Sequence, residues 1–189
     1  MELLAIYVSP RLQGNSRILL DNLVAGVTSQ GISVERLFLS QLNIKFCQAC
    51  PISEPGRWCR LEDDLLPVYE KVLSAKAVAI GSPIYFGSLP AQIKALIDRF
   101  QCVWLAREKG WLTLENKKPG VFLGVEASKR EDFFQNARSI IKNFFATAGF
   151  AYADELFCPG MEKEGDVLSR KDCLEIAFQI GLRLAQRCR

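Results

Sequence analysis

Five short apolar runs, spread over the whole chain and separated by helical patterns, leave few folds open to it. The runs are LLAIYV (3 to 8), SVERLFL (33 to 39), AKAVAIG (75 to 81), GVFLGV (120 to 125) and FAYADELF (150 to 157), and each reads as a strand. Between them, residues 16 to 29 place Ile18, Leu19, Leu23 and Val27 at helical spacing, and 63 to 74 do the same with Leu65, Leu66, Tyr69 and Leu73. The pattern recurs over 89 to 101 (Ile93, Leu96, Ile97, Phe100), 131 to 148 (Phe134, Ala137, Ile141, Phe144, Phe145) and 169 to 187 (Leu174, Ala177, Phe178, Leu182). Strands that alternate with helices imply a parallel sheet covered on both faces, hence one doubly wound α/β domain. In such a sheet, ligands bind beyond the carboxyl ends of the strands where strand order reverses, so the loops to watch are 9 to 15, 82 to 88 and 126 to 130. Two segments, 40 to 62 and 102 to 118, read as irregular.

The first of these loops, SPRLQGNS at 9 to 16, opens directly into a helix. Ser9, Asn15 and Ser16 supply hydrogen-bonding side chains, Gly14 permits close backbone approach, and Arg11 offers a planar fork suited to phosphate oxygens. The new helix would aim unpaired N–H groups and the positive end of its dipole at an anion there. Helix capping alone would account for Asn15 or Ser16, but not for Arg11.

Composition narrows the chemistry. The chain has no histidine, which removes every mechanism built on an imidazole base and every histidine-containing metal site. Its net charge of +3 comes without a basic stripe or tail, so nucleic acid is a poor partner, while a slight positive balance suits an anionic cofactor. The run LLAIYV is too short and lacks the basic lead-in of a signal peptide, and no apolar stretch reaches membrane-spanning length. A cytoplasmic protein without membrane contact is expected. In that compartment the seven cysteines are more readily reduced thiols or metal ligands than a disulfide framework.

The second loop, GSPIYFGS at 81 to 88, sets an aromatic surface and backbone N–H groups between a buried strand and a helix, where a flat heterocycle would lie. Taken with S-P-R-x-x-G-N-S at 9 to 16, C-x-x-C at 47 to 50 followed by Cys59 and Asp63-Asp64, and S-P-I-Y-F-G-S at 82 to 88 running into Lys94 and Asp98-Arg99, the chain resembles the NADPH-dependent FMN reductase family of flavodoxin-like proteins. Within it, the resemblance is to the branch related to iron–sulfur flavoproteins. The resemblance covers residues 2 to about 125 in sequence and the rest in the order of its elements. It implies a flavodoxin-like five-stranded sheet of order 2-1-3-4-5, with FMN as the cofactor. By matching position, Ser9, Arg11, Gly14, Asn15 and Ser16 would hold its phosphate, and Pro83, Ile84, Tyr85, Phe86, Gly87 and Ser88 would lie against its ring. The third loop departs from the family's small, Gly-rich segment and reads GVEASKRED, so that Glu126 either turns outward or narrows the flavin site.

Iron–sulfur relatives present four thiolates from one compact loop. This chain offers Cys47, Cys50 and Cys59, and where the remaining cysteine is expected stands Pro51-Ile52-Ser53. A cluster would need an outside ligand such as Cys102, so an iron–sulfur cluster is not expected. Inert thiols are the leading reading; oxidative pairing with Cys59, or zinc with an external ligand, are the others.

The function expected is therefore an oxidoreductase that takes hydride from NAD(P)H onto FMN and passes electrons to a quinone, a free flavin, another small-molecule acceptor or a redox protein. A flavodoxin-like electron carrier without enzymatic turnover is the alternative, disfavoured because such carriers commonly dock through an acidic face and this chain is mildly basic. A regulatory protein that has lost FMN is the third. The resemblance further implies a homo-oligomer, a dimer or tetramer; the apolar Phe86, Leu89, Trp104 and Trp111 are either interface material for it or core. In the insertion 102 to 118, Arg107, Lys109, Trp104 and Trp111 would cover the ring or meet a partner, unless the segment is a solvated hairpin with one buried Trp. A dinucleotide Rossmann site lacks its G-x-G-x-x-G here, and a small tyrosine phosphatase lacks its loop cysteine.

Overall fold

In the computed structural model, which describes residues 2–52, 54–56, 59–115 and 117–188, the run Leu3–Tyr7 is buried at every position and forms strand β1. The remaining strands are β2 (Val34–Phe38), β3 (Ala77–Pro83), β4 (Lys118–Glu126) and β5 (Phe150–Pro159). All neighbours pair in parallel, in the order β2-β1-β3-β4-β5. The helices are α1 (Asn15–Thr28), α2 (Leu66–Ser74), α3 (Ala91–Arg99), α4 (Gln101–Glu108), α5 (Glu131–Ala148) and α6 (Lys171–Cys188). Short 3₁₀ turns occupy Leu39–Gln41 and Asp166–Ser169.

Alternate residues of a strand point to opposite faces, and β1 uses this to feed two cores. Leu3, Ala5 and Tyr7 join Leu19, Leu23 and Leu184 under α1 and α6. Leu4 and Ile6 join Tyr69, Ile93, Val103 and Phe145 under α2 to α5. The α1/α6 layer depends on two glycines that let the helix backbones touch. A Cβ on Gly26 would lie 2.3 Å from the Phe178 carbonyl oxygen, and one on Gly181 would lie 2.1 Å from that of Leu23.

The segment 102 to 118 corrects the sequence reading. Residues 101 to 108 are helical because Cys102, Val103 and Ala106 recur on one buried face, continuing the α3 pattern after a break at Phe100. That segment is no hairpin with a buried Trp, since Trp104 and Trp111 are both more than a third exposed. Helix α2 begins at Leu66 rather than 63, because Asp63 turns its carboxylate back to the Leu65 N–H and delays the helix start. Among the described residues, no helix is long and apolar enough to cross a membrane.

Candidate functional site

Strands β2 and β3 flank β1 on opposite sides, so the order of the sheet reverses at β1 and a crevice opens beyond its carboxyl end. There the loops after β1, β3 and β4 meet. They enclose a cleft of about 230 Å³ lined by Ser9, Arg11, Gly14, Asn15 and Ser16 on one side, Pro83, Ile84 and Tyr85 on another, and Val125, Glu126, Ala127, Met161 and Glu162 on the third. The main-chain bond from the Ile84 N–H to the Val125 carbonyl, 2.7 Å, ties two of these loops together.

The phosphate loop has the geometry of an anion cradle. Its Ser9 hydroxyl accepts from the Arg11 N–H at 3.2 Å, and the backbone packs so tightly that a Cβ on Gly14 would lie 2.7 Å from Ser9 Oγ. Gly14 caps α1 without a side-chain bond, and the first turn of the helix carries no acidic residue. The leading N–H groups of a helix have no acceptor within it, and here they open onto the cleft wall. Ser16, 1% exposed, holds a hydroxyl with no hydrogen-bond partner among the described residues. A buried hydroxyl left unsatisfied at a helix start fits an oxyanion that would complete it. Arg11 is exposed at the rim of the cleft.

Asn15 lines the cleft and also holds a neighbouring segment. Its amide donates to the Lys163 carbonyl at 2.8 Å and accepts from the Val167 N–H at 3.1 Å, pinning the segment after β5 against the cradle. The Gln13 N–H adds a bond to Glu164 Oε1, and the Met161 N–H bonds the Glu126 carbonyl at 2.8 Å. Met161 and Glu162 thereby become a wall of the cleft. No motif in 159 to 168 marked them; the only signal was the Pro159-Gly160 turn that follows the last strand.

The second loop divides. Pro83, Ile84 and Tyr85 line the cleft, whereas Phe86 and Gly87 form a tight turn beyond it, closed by reciprocal bonds between Tyr85 and Ser88. Both turn residues have positive φ, 51° at Phe86 and 71° at Gly87, as a type I′ turn requires. Phe86 is fully exposed there, and Tyr85 is 43% exposed. Asn136 of α5 holds the turn through the Gly87 carbonyl at 2.8 Å.

Glu126 turns inward rather than outward. It is 3% exposed, both carboxylate oxygens lack a partner among the described residues, and burial pushes its carboxyl above the ordinary range.

The cysteines gather elsewhere, beside α3 and α4. Cys47, Cys50, Cys59 and Cys102 line one cavity of about 20 Å³, room for a single water. Cys102 Sγ is committed to the Arg99 carbonyl at 3.1 Å, and burial pushes its thiol up to about 11. Ser53 lies outside the described residues. Among those described, no three Cys, Asp or Glu side chains converge as a ligand set. Trp104 faces a separate groove with Ile97, Ile140 and Phe144, away from the cleft.

The family model described as NADPH-dependent FMN reductase matches residues 1–148. An iron-sulfur flavoprotein of Methanosarcina thermophila is 31% identical over 129 residues, covering 68% of this chain and 65% of that protein. One of Archaeoglobus fulgidus is 38% identical over 99 residues, covering 52% of this chain and 48% of that protein. The chain thus spans from about half to just under two thirds of the length of these relatives. Among solved structures, a NAD(P)H:quinone oxidoreductase from Methanothermobacter marburgensis superposes with a TM-score of 0.70 at 19% identity, over 97% of this chain and 96% of that one. A flavone reductase superposes with a TM-score of 0.74, also at 19% identity, over 100% of this chain and 63% of that one. At that identity the likeness is one of fold.

Proposed function

The chain belongs to the NADPH-dependent FMN reductase family, and on that premise we propose that it binds FMN in the cleft beyond β1 and β3 and works as a NAD(P)H-dependent oxidoreductase. The observation that carries this reading is the unsatisfied, buried Ser16 hydroxyl at the start of α1, inside a cradle that Gly14 keeps open. Ser9, Ser16, Arg11 and the first N–H groups of α1 would hold the phosphate. Asn15 supports them by fixing the wall at Lys163 and Val167. Pro83, Ile84 and Tyr85 would lie against the ring, with main-chain N–H groups as donors. Once bound, the flavin supplies the hydride and electron chemistry, which is why a chain without histidine suffices. Electrons would pass to a quinone, a free flavin or another small acceptor.

At about 230 Å³ the cleft falls below the ~300–1,000 Å³ of ligand pockets that enclose their guests. One face of a bound ring would remain uncovered, and a second copy of the chain, docking over the exposed Tyr85 and Phe86, would shield it. The deciding experiment is anaerobic mixing of FMN-loaded protein with NADPH and with NADH. Rapid bleaching of the flavin bands, followed by reoxidation with a quinone, supports the enzyme. Tight FMN binding without bleaching by either nucleotide would turn the reading to an electron carrier, and a protein that takes up no FMN would end both. Light scattering in solution tests the oligomer.

A further inference from the structure

Glu126 ends β4 beside the phosphate cradle, and its carboxyl group is the one buried polar group of the cleft for which the reading above has no use. With 3% of the residue exposed and neither oxygen hydrogen-bonded among the described residues, such a group favours the neutral acid. From the start of α5, Asp132 opposes ionisation, while the Arg130 guanidinium and N–H favour it. That guanidinium is already held by Asp132 in two bonds of 3.0 and 2.6 Å, and the Arg130 N–H is given to Ser128 Oγ at 3.1 Å. Across the cleft, Arg11 and Glu162 bring one charge of each sign.

A phosphate seated in the cradle would add negative charge to the same cleft and hold Glu126 still more firmly in its neutral form. Resting on the FMN reading, we propose that Glu126 enters the ligand complex as a carboxylic acid and donates a hydrogen bond to a ring carbonyl of the bound heterocycle, so that ligand binding and Glu126 protonation are coupled. The cleft then selects for a ligand with a phosphate at one end and a carbonyl acceptor on its ring. Where Glu126 is ionised before binding, one proton is taken up from solution. An ionised Glu126 would both lack the donor and repel the phosphate.

The test is an FMN titration by fluorescence quenching from mildly acidic to mildly alkaline pH, with the wild-type protein and Glu126→Gln. The wild-type Kd should weaken by about tenfold per pH unit once Glu126 ionises. Glu126→Gln is neutral throughout and still a donor, so it should keep only the shallow dependence that the phosphate itself contributes near pH ~6. Calorimetry of the wild type in buffers of different ionisation enthalpy reads the proton uptake directly and needs no variant. Identical pH profiles, with no uptake beyond that of the phosphate, would overturn the coupling while leaving FMN binding intact. Failure of both proteins to bind FMN at any pH would overturn the proposed function and the coupling together.

Discussion

The guanidinium of Arg99 and the carboxylate of Asp63 meet in two hydrogen bonds, 2.6 and 3.2 Å long, with 1% of either side chain exposed. Arg99 also donates to the Lys45 and Leu61 carbonyls, and Asp63 accepts from the Lys45 and Leu65 N–H groups. One ion pair therefore fastens both ends of the cysteine-bearing loop to α3.

Breaking that pair should be costly. Arg99→Met leaves a buried carboxylate uncompensated and should lower the unfolding free energy in urea by about 3–5 kcal/mol. The double variant Asp63→Leu/Arg99→Met should recover part of the loss. The pair also sets an acid limit. Its bonds hold Asp63 below its ordinary value, so its contribution is complete above about pH 4 and disappears as pH falls through the lowered value. Wild-type stability should drop over that acid range more steeply than that of the double variant.

Ser16→Ala separates binding from folding. It removes a buried hydroxyl that has no partner, so thermal stability of the ligand-free protein should hold or rise slightly. FMN affinity should fall by roughly five- to thirtyfold, equivalent to about 1–2 kcal/mol, with riboflavin binding little changed. An equal loss for both ligands would remove Ser16 from the phosphate site.

Asn15→Ala should instead act on the wall. Two hydrogen bonds vanish and the buried Val167 N–H loses its acceptor, at a cost of about 1–3 kcal/mol. Hydrogen exchange should accelerate over 161 to 168 and leave β1 and β3 protected.

The arrangement of strands and helices was legible because apolar runs of strand length alternate with helical spacing along nearly the whole chain. The loop that lines one side of the cleft was legible as well, since Ser9, Gly14 and Ser16 lie within a few residues of one another. What escaped was long-range. The bonds that Asn15 makes to residues 163 and 167, far away in sequence, leave no local signal. Asp63 and Arg99 read as family markers, and only folding shows them to be a staple. Helix α4 was missed because the break at Phe100 splits one apolar stripe in two.

Phe86 holds a left-handed backbone conformation that bulky residues avoid, while its ring gains no burial within the chain. Phe86→Asn should stabilise the monomer by roughly 1 kcal/mol, since Asn tolerates this conformation. If the ring serves an interface, the same variant should weaken self-association, read by sedimentation velocity. A stabilised variant with unchanged association would assign Phe86 no part in assembly.

The bonds from Asn15 to Lys163 and Val167 also impose an order in time. The cradle leaves the ribosome about 150 residues ahead of the wall that completes it, or roughly 8–30 s of synthesis. Over that interval α1 has no α6 to pack on, and its apolar face waits in the open. A stall in translation before residue 161 would leave a cradle without a back wall, a substrate for chaperones rather than for a ligand.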